Sequence, residues 1–162
     1  MKQFTFLLSL LLFSGCYYYE PTTSYKPVLI QRSELENSIT FINSRKVQNP
    51  GKIYTYQNFI FINELYYGVH VINNLNPELP ENIGFITIPG NVDIAIKDNI
   101  LYADNAVDLI AVDLSNMAYP NVLSRKRKVF PEPTPPDLGF IPEEFNVANR
   151  PEDTIIIKWE EK

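Results

Sequence analysis

Cysteine and histidine occur once each in these 162 residues, as Cys16 and His70. A disulfide framework within the chain is therefore excluded, and so is a zinc site of the usual Cys/His kinds. A Cys-His catalytic pair would require Cys16 to survive in the mature protein as a free thiol. Glycine is scarce, at six positions, and no nucleophile elbow, phosphate-cradling glycine loop, zinc-binding helix motif or dinucleotide fingerprint occurs. Positive charge is in deficit. Lys and Arg total 14 against 19 Asp and Glu, a net charge of -5, which repels phosphate and argues against nucleic-acid binding by general attraction. The longest apolar run, Phe4 to Phe13, falls well short of the roughly twenty residues of a membrane-spanning helix. What is present is a chain 45% hydrophobic and 20% charged, ordered in composition and long enough for one domain but not comfortably for two.

Lys2 precedes that apolar run, which is interrupted only by Thr5 and Ser9. Together they form the charged and hydrophobic regions of a signal peptide. The run ends in Phe13-Ser14-Gly15-Cys16, which resembles the lipobox of bacterial lipoproteins and departs from it at Phe13, where that family usually has Leu. The resemblance implies a signal peptide over residues 1–15, cleavage before Cys16, and acylation of Cys16 with fatty acids such as palmitate. Several acyl chains, at about 0.8 kcal/mol per buried methylene, hold a protein on a bilayer without a transmembrane helix. Loss of Lys2 leaves 13 basic and 19 acidic residues, hence a charge of -6, so the expected anchor is the lipid and not the surface charge. The expected location is the bacterial cell envelope, at the outer membrane. The alternative is a secreted protein cut elsewhere, with Cys16 lost or left as an odd thiol.

Residues 16–32 read as a tether, and Tyr17 to Pro27 have no usable periodicity. The triplet Tyr17-Tyr18-Tyr19 suits a lipid headgroup boundary or a plain linker equally. Residues 33–50 form an N-terminal flank, in which Ser33-Glu34-Leu35-Glu36 matches a capping box and predicts a short helix from Ser33 to about Ile39. From Gly51 onward, short runs of Ile, Val, Tyr and Phe separated by Asn, Asp, Gly and Pro predict strands and turns. These runs repeat. Residues 58–63 (NFIFIN) align with 99–104 (NILYAD) at an offset of 41, and 69–73 (VHVIN) with 109–113 (LIAVD) at 40. Residues 76–80 then align with 116–120, again at 40, so one residue is lost in the loop between. A period near 40 with four short strands per unit is the spacing of a propeller blade. The strands expected are 52–56, 59–63, 69–72 and 84–88 in the first unit, and 92–96, 100–103, 109–114 and 122–129 in the second.

The repeated core, two hydrophobic residues, any residue, a hydrophobic residue and Asp or Asn, followed by a short Asn-Pro turn, resembles the LVIVD repeat of bacterial surface and secreted proteins. Leu109-Ile110-Ala111-Val112-Asp113 is the better copy, and the resemblance covers about Gly51 to Pro131. It implies a propeller-like all-β architecture, and it informs fold more than function. The expected fold is thus all-β, with two four-stranded repeats over residues 51–130 and strands from the flanks. Closed propellers use at least four blades, so the open parts of two repeats call for the flanks, for self-association or for an envelope partner. The flanks offer Ile39 to Asn43 and, within the C-terminal segment 152–162, Thr154 to Trp159, a run suited to pairing with an open sheet edge. Between them, residues 131–151 hold six of the thirteen prolines and are expected to be an extended arm carrying the last strand back across the body.

Four features carry candidate chemistry. Asp93, Asp104, Asn105, Asp108 and Asp113 place oxygens along one repeat; turn capping is the favoured account, and a calcium site or a glycosidase pair around Asp104 and Asp108 is the alternative. His70 lies inside a strand and has no partner His or Cys, which suits a packed or surface residue better than a catalyst. Ser124-Arg125-Lys126-Arg127-Lys128 is the one basic run. It suits an outer strand protected against edge pairing, with Arg125 and Arg127 on one side, or a patch for a phosphate, headgroup or acidic glycan. Tyr66 and Tyr67 lie in a loop whose counterpart in the second unit lacks aromatics, so they are candidates for stacking on a sugar or peptide. No catalytic residue and no cofactor is assigned. The expected function is a non-catalytic, lipid-anchored binding or assembly module, with a calcium-dependent or carbohydrate-active enzyme as the alternative.

Overall fold

The computed structural model describes residues 22–117 and 119–162. The segment expected to be a signal peptide, Cys16 and the tyrosine triplet lie outside the described residues. The fold is all-β, in three antiparallel sheets. The first sheet runs in the order β2 (Thr40–Ile42), β6 (Glu81–Thr87), β5 (Gly68–Asn73), β4 (Phe59–Glu64), β3 (Pro50–Tyr56). The second runs β10 (Asn121–Lys126), β9 (Asp108–Asp113), β8 (Ile100–Asn105), β7 (Ile94–Lys97). The third is the pair β1 (Tyr25–Gln31) and β11 (Thr154–Glu161). Each of the eight strands expected over residues 51–130 is present, with ends displaced by a few residues.

The two larger sheets are built from the same local chemistry. Their first hairpins turn on Gln57-Asn58 and Asp98-Asn99, with positive φ at Gln57 (53°), Asp98 (51°) and Asn99 (61°), a conformation that Asn and Asp tolerate because their short polar side chains hydrogen-bond locally. Asn74 N donates to Asn58 O at 2.8 Å, and Leu114 N donates to Asn99 O at 2.8 Å. The third strands end in matching Asx turns, Leu75 N to Asn73 Oδ1 at 3.0 Å and Ser115 N to Asp113 Oδ1 at 2.8 Å, which stop the strand by satisfying the next backbone donor. The pairing of Glu64 with Gly68 and of Asn105 with Asp108 leaves Leu65-Tyr66-Tyr67 in one loop and Ala106-Val107 in the other. That is the residue by which the offset falls from 41 to 40. Gly68 (φ 144°) closes the longer loop where a Cβ would meet the Ile86 carbonyl, so glycine is required there.

The sheets pack face to face, and alternation decides which side chains meet. The first sheet contributes Phe61, Val69, Val71 and Ile86, all fully buried, and the second contributes Ile94, Ile96, Leu101, Ala103, Ile110 and Val112. These are opposite faces of equivalent strands. Phe61 pairs in position with Tyr102, which turns away from this core, while Leu101 and Ala103, which turn into it, match Ile60 and Ile62. The units are therefore stacked head to tail. Asn91 stitches the seam: its carboxamide accepts from Asn63 Nδ2 and donates to the Asp93 and Asp104 carbonyls, both at 3.0 Å.

The flanks depart from expectation in three places. The tether expected over 16–32 contains β1, because β11 pairs with it from Tyr25↔Glu161 to Gln31↔Thr154; β11 thus takes a flank strand as partner and not the edge of a repeat. The helix is shorter than expected, α1 over Arg32–Glu36, with Gln31 at its N-cap and no side-chain cap. Glu36 reaches Arg127 Nη2 at 2.8 Å instead of closing a capping box. The predicted strand at 39–43 forms as β2 and extends the first sheet beyond β6. Ile30, Leu35 and Ile155 then pack on Ala106 and Val107, the tip of the β8–β9 hairpin. The proline arm has no strand and one 3-10 turn, Glu143–Phe145. It is fastened by Trp159 Nε1 to Pro133 O at 2.8 Å, Thr23 Oγ1 to Asp137 Oδ1 at 2.6 Å, and Glu132 Oε1, which accepts from Arg150 Nη2 at 2.6 Å and Ile156 N at 3.0 Å.

Candidate functional site

The main cleft is 740 Å³ and lies on the side of the second sheet that faces away from the core. Its floor is Ala95 on β7, Tyr102 and Asp104 on β8, and Leu109 on β9, brought together because Ala95 pairs with Tyr102 and Asp104 with Leu109. One wall is the arm, Phe130 to Thr134, with Ile157 of β11 behind it. At the rim, Lys52 Nζ pairs with Asp93 Oδ1 at 2.7 Å, and both side chains are more than half exposed. The floor and walls are predominantly apolar, and Tyr102 (40%), Val92 (48%) and Phe130 (39%) stand open to solvent.

Asp104 is the one carboxylate on the cleft floor, and its oxygens are committed. Oδ1 accepts from Asp93 N at 2.7 Å and from Asn91 Nδ2 at 3.1 Å, and Oδ2 accepts from Val92 N at 2.9 Å. Burial raises its pKa above the ordinary value, against the opposing pull of the Asp93 and Val92 amides. It therefore shapes the turn before β7. Asp108 lies on the opposite face, because Asn105 and Asp108 are partners one step along from Asp104. There it is fully buried and held by Arg32 Nη1 at 2.6 Å, Arg125 Nη1 at 2.9 Å and Lys128 N at 3.1 Å. The two carboxylates weighed as a calcium or glycosidase pair thus stand on opposite sides of one sheet. Among the described residues, no group of three or more His, Cys, Asp or Glu is placed to hold a metal ion.

Arg125 is not part of an open basic patch. It donates to Asn105 Oδ1 at 2.7 Å as well as to Asp108, and the sequence hid this because a buried acid on a neighbouring strand has no local signature. Arg127 is exposed and turns the same way, to Glu36. β10 is the outer edge strand of its sheet. Tyr66 (φ 71°) lines the cleft, and its backbone joins the seam by accepting from Gly90 N at 2.9 Å. Tyr67 is 41% exposed and points elsewhere, with Lys158 Nζ 2.6 Å from its hydroxyl and Arg45 stacked 5.3 Å from its ring centre.

His70 is fully buried, edge-on to Phe85 at 4.8 Å, with Nε2 2.6 Å from Glu64 Oε2. Sequence inspection missed Glu64, whose other oxygen accepts from Asn49 N at 2.8 Å and Gln48 N at 3.2 Å. Burial alone would raise the Glu64 pKa, but the His70 ring and these two amides outweigh it and hold the carboxyl below its ordinary value. The pair fastens the connection from β2 to β3. Asp93 and Asp113 likewise act in an ion pair and an Asx turn.

Among the described residues, no helix is long and apolar enough to cross a membrane. Comparison with protein-family models, with curated proteins and with solved structures finds no match to this chain.

Proposed function

We propose that this chain is a non-catalytic β-repeat module of the bacterial envelope, anchored by lipid on Cys16, that works by binding or assembly through the open face of its second sheet. The observation that carries the reading is the cleft: an apolar sheet face with an exposed tyrosine on its floor, over which no further repeat packs among the described residues. Exposed apolar patches of this kind mark interaction surfaces. The groups that would serve chemistry, Asp104, Asp108, His70 and Glu64, are all engaged in holding turns, strands and connections together. The lipobox-like Phe13-Ser14-Gly15-Cys16 supports the anchor, and the repeated core, Leu109-Ile110-Ala111-Val112-Asp113 in its better copy, supports membership of the LVIVD class with its propeller-like stacking.

Metabolic labelling with a fatty-acid analogue tests the anchor: label is expected on the wild-type chain and none on Cys16→Ala, while equal labelling of both would remove the anchor from the proposal. Crosslinking in envelope fractions from a photoreactive residue at position 102 tests the module, and a chain that crosslinks to nothing fails it.

A further inference from the structure

We infer that the partner of the open face is a second copy of this chain, docked head to tail so that the contact between the two sheets within one molecule is repeated between molecules. The inference rests on the module reading above and names its partner. Within the chain, the first sheet offers the face carrying Phe61, Val69 and Val71 to the face of the second sheet carrying Leu101, Ala103 and Ile110. This contact is heterologous, since the two surfaces are the two different sides of equivalent strands. A heterologous contact always leaves one unused copy of each surface. The unused first surface is the cleft floor, where Tyr102 occupies the place of Phe61 and Leu109 that of Val69. The unused second surface is the far side of the first sheet, where Ile53, Ile60 and Ile62 occupy the places of Ile94, Leu101 and Ala103.

Exposure follows this account. Phe61 is fully buried and its counterpart Tyr102 is 40% exposed; Ile94 is 3% exposed and its counterpart Ile53 is 62% exposed. The flanks trim both surfaces and leave corresponding parts of them uncovered. The arm stands over the β9 end of the cleft, so β7 and β8 remain open. The connection from β2 to β3 lays Arg45 over Phe85 on β6, 4.8 Å from the ring centre, and closes over Glu64 at the end of β4, so β3 with its exposed Ile53 and the half-buried Ile60 and Ile62 of β4 are what remain open. β3 and β4 are the counterparts of β7 and β8.

Charge agrees as well. In the chain, the contact is marked by Lys52 on β3 and Asp93 just before β7, which are equivalent positions of the two units. At the next contact the same positions meet again, Asp93 of one molecule and Lys52 of the other, so the junction is again an ion pair of opposite charges. Both side chains are exposed enough to serve both partners. Closed rings of about four to eight such sheets are the stable sizes, which corresponds to about two to four chains.

The test is the mass of the full chain in detergent, by light scattering or sedimentation, for wild type, Ile53→Arg, Tyr102→Arg and an equimolar mixture of the two variants. Both sites are exposed, and unchanged circular dichroism melts confirm folding. Wild type is expected at two or more chains and each variant at one. The mixture is expected to regain a complex of two chains, because each variant keeps the surface that the other lacks. A monomeric wild type, or an assembly that both variants leave intact, overturns the inference. Failure of the mixture to associate overturns the head-to-tail contact. If the wild type is monomeric and position 102 crosslinks to a different envelope protein, self-association falls while the module reading stands.

Discussion

The buried polar residues of this molecule hold chain segments together that have little else to hold them. Glu64 is the clearest case. Its carboxylate binds one histidine and two backbone amides from a stretch of seven residues without regular structure. Because its folded-state pKa lies below the ordinary value of 4.5, its contribution is present above that value and is lost as pH falls through the lower folded value. Thermal melts from pH 7 downward should therefore show the midpoint falling below about pH 4.5, and Glu64→Gln should flatten that fall while lowering the midpoint at neutral pH. Asp104 works in the opposite sense. Burial raises its pKa, so its ionised form costs stability above the folded value and protonation relieves that cost. A variant at Glu64 that leaves the acid limb unchanged would assign the limb to the other carboxyls held below their ordinary values, Asp113 by the Ser115 hydroxyl and amide, Asp137 by the Thr23 hydroxyl and the Ser24 amide, and Glu160 by Lys158.

Between elements, the strongest tie is the fully buried Asp108, which joins β9 to α1 through Arg32 and to β10 through Arg125. Removing a buried carboxylate strands two guanidinium groups of which one is only 12% exposed. Asp108→Ala should cost about 3 to 5 kcal/mol in urea unfolding. Arg125→Met should cost clearly less, since Arg32 remains to neutralise the acid and the methionine retains the packing of the stem. The strands and their turns were legible in the sequence because each rests on neighbours in the chain: alternation for the strands, Asn and Asp side chains for the turns. β1 was not. Lys26 and Pro27 broke its pattern, and only the pairing with β11, more than a hundred residues away, makes it a strand. The capping box at Ser33 failed for the converse reason, because Glu36 finds a better partner in Arg127.

At the scale of the whole molecule, the two larger sheets share one core and the flanks form a second, smaller one on the β8–β9 hairpin. Deleting residues 152–162 removes the partner of β1 and two buried isoleucines, Ile155 and Ile156, each worth about 1.5 to 3 kcal/mol of burial. Limited proteolysis of that truncated chain should cut first between residues 22 and 38, with the sheets of residues 50–126 resisting, and the melting midpoint should fall. Simultaneous loss of the whole chain to protease would mean that the two cores unfold as one. The same division explains the cleft: the arm and β11 cover part of the second sheet, but among the described residues no sheet of the repeat kind packs on its open face.

The sequence by itself determined the all-β class, the two units and their turns, because these depend on periodicity and on side chains that act within a few residues. The signal-like N-terminus with its lone cysteine is likewise a property of sequence alone. Tertiary structure decided which faces of the units meet, that Asp104 and Asp108 stand on opposite sides of a sheet, that Arg125 is paired with the buried Asp108 and His70 with Glu64, and that Tyr102 is left uncovered. Each depends on contacts between residues distant in the chain, where the gain comes from excluding water between two surfaces and no single segment records the outcome.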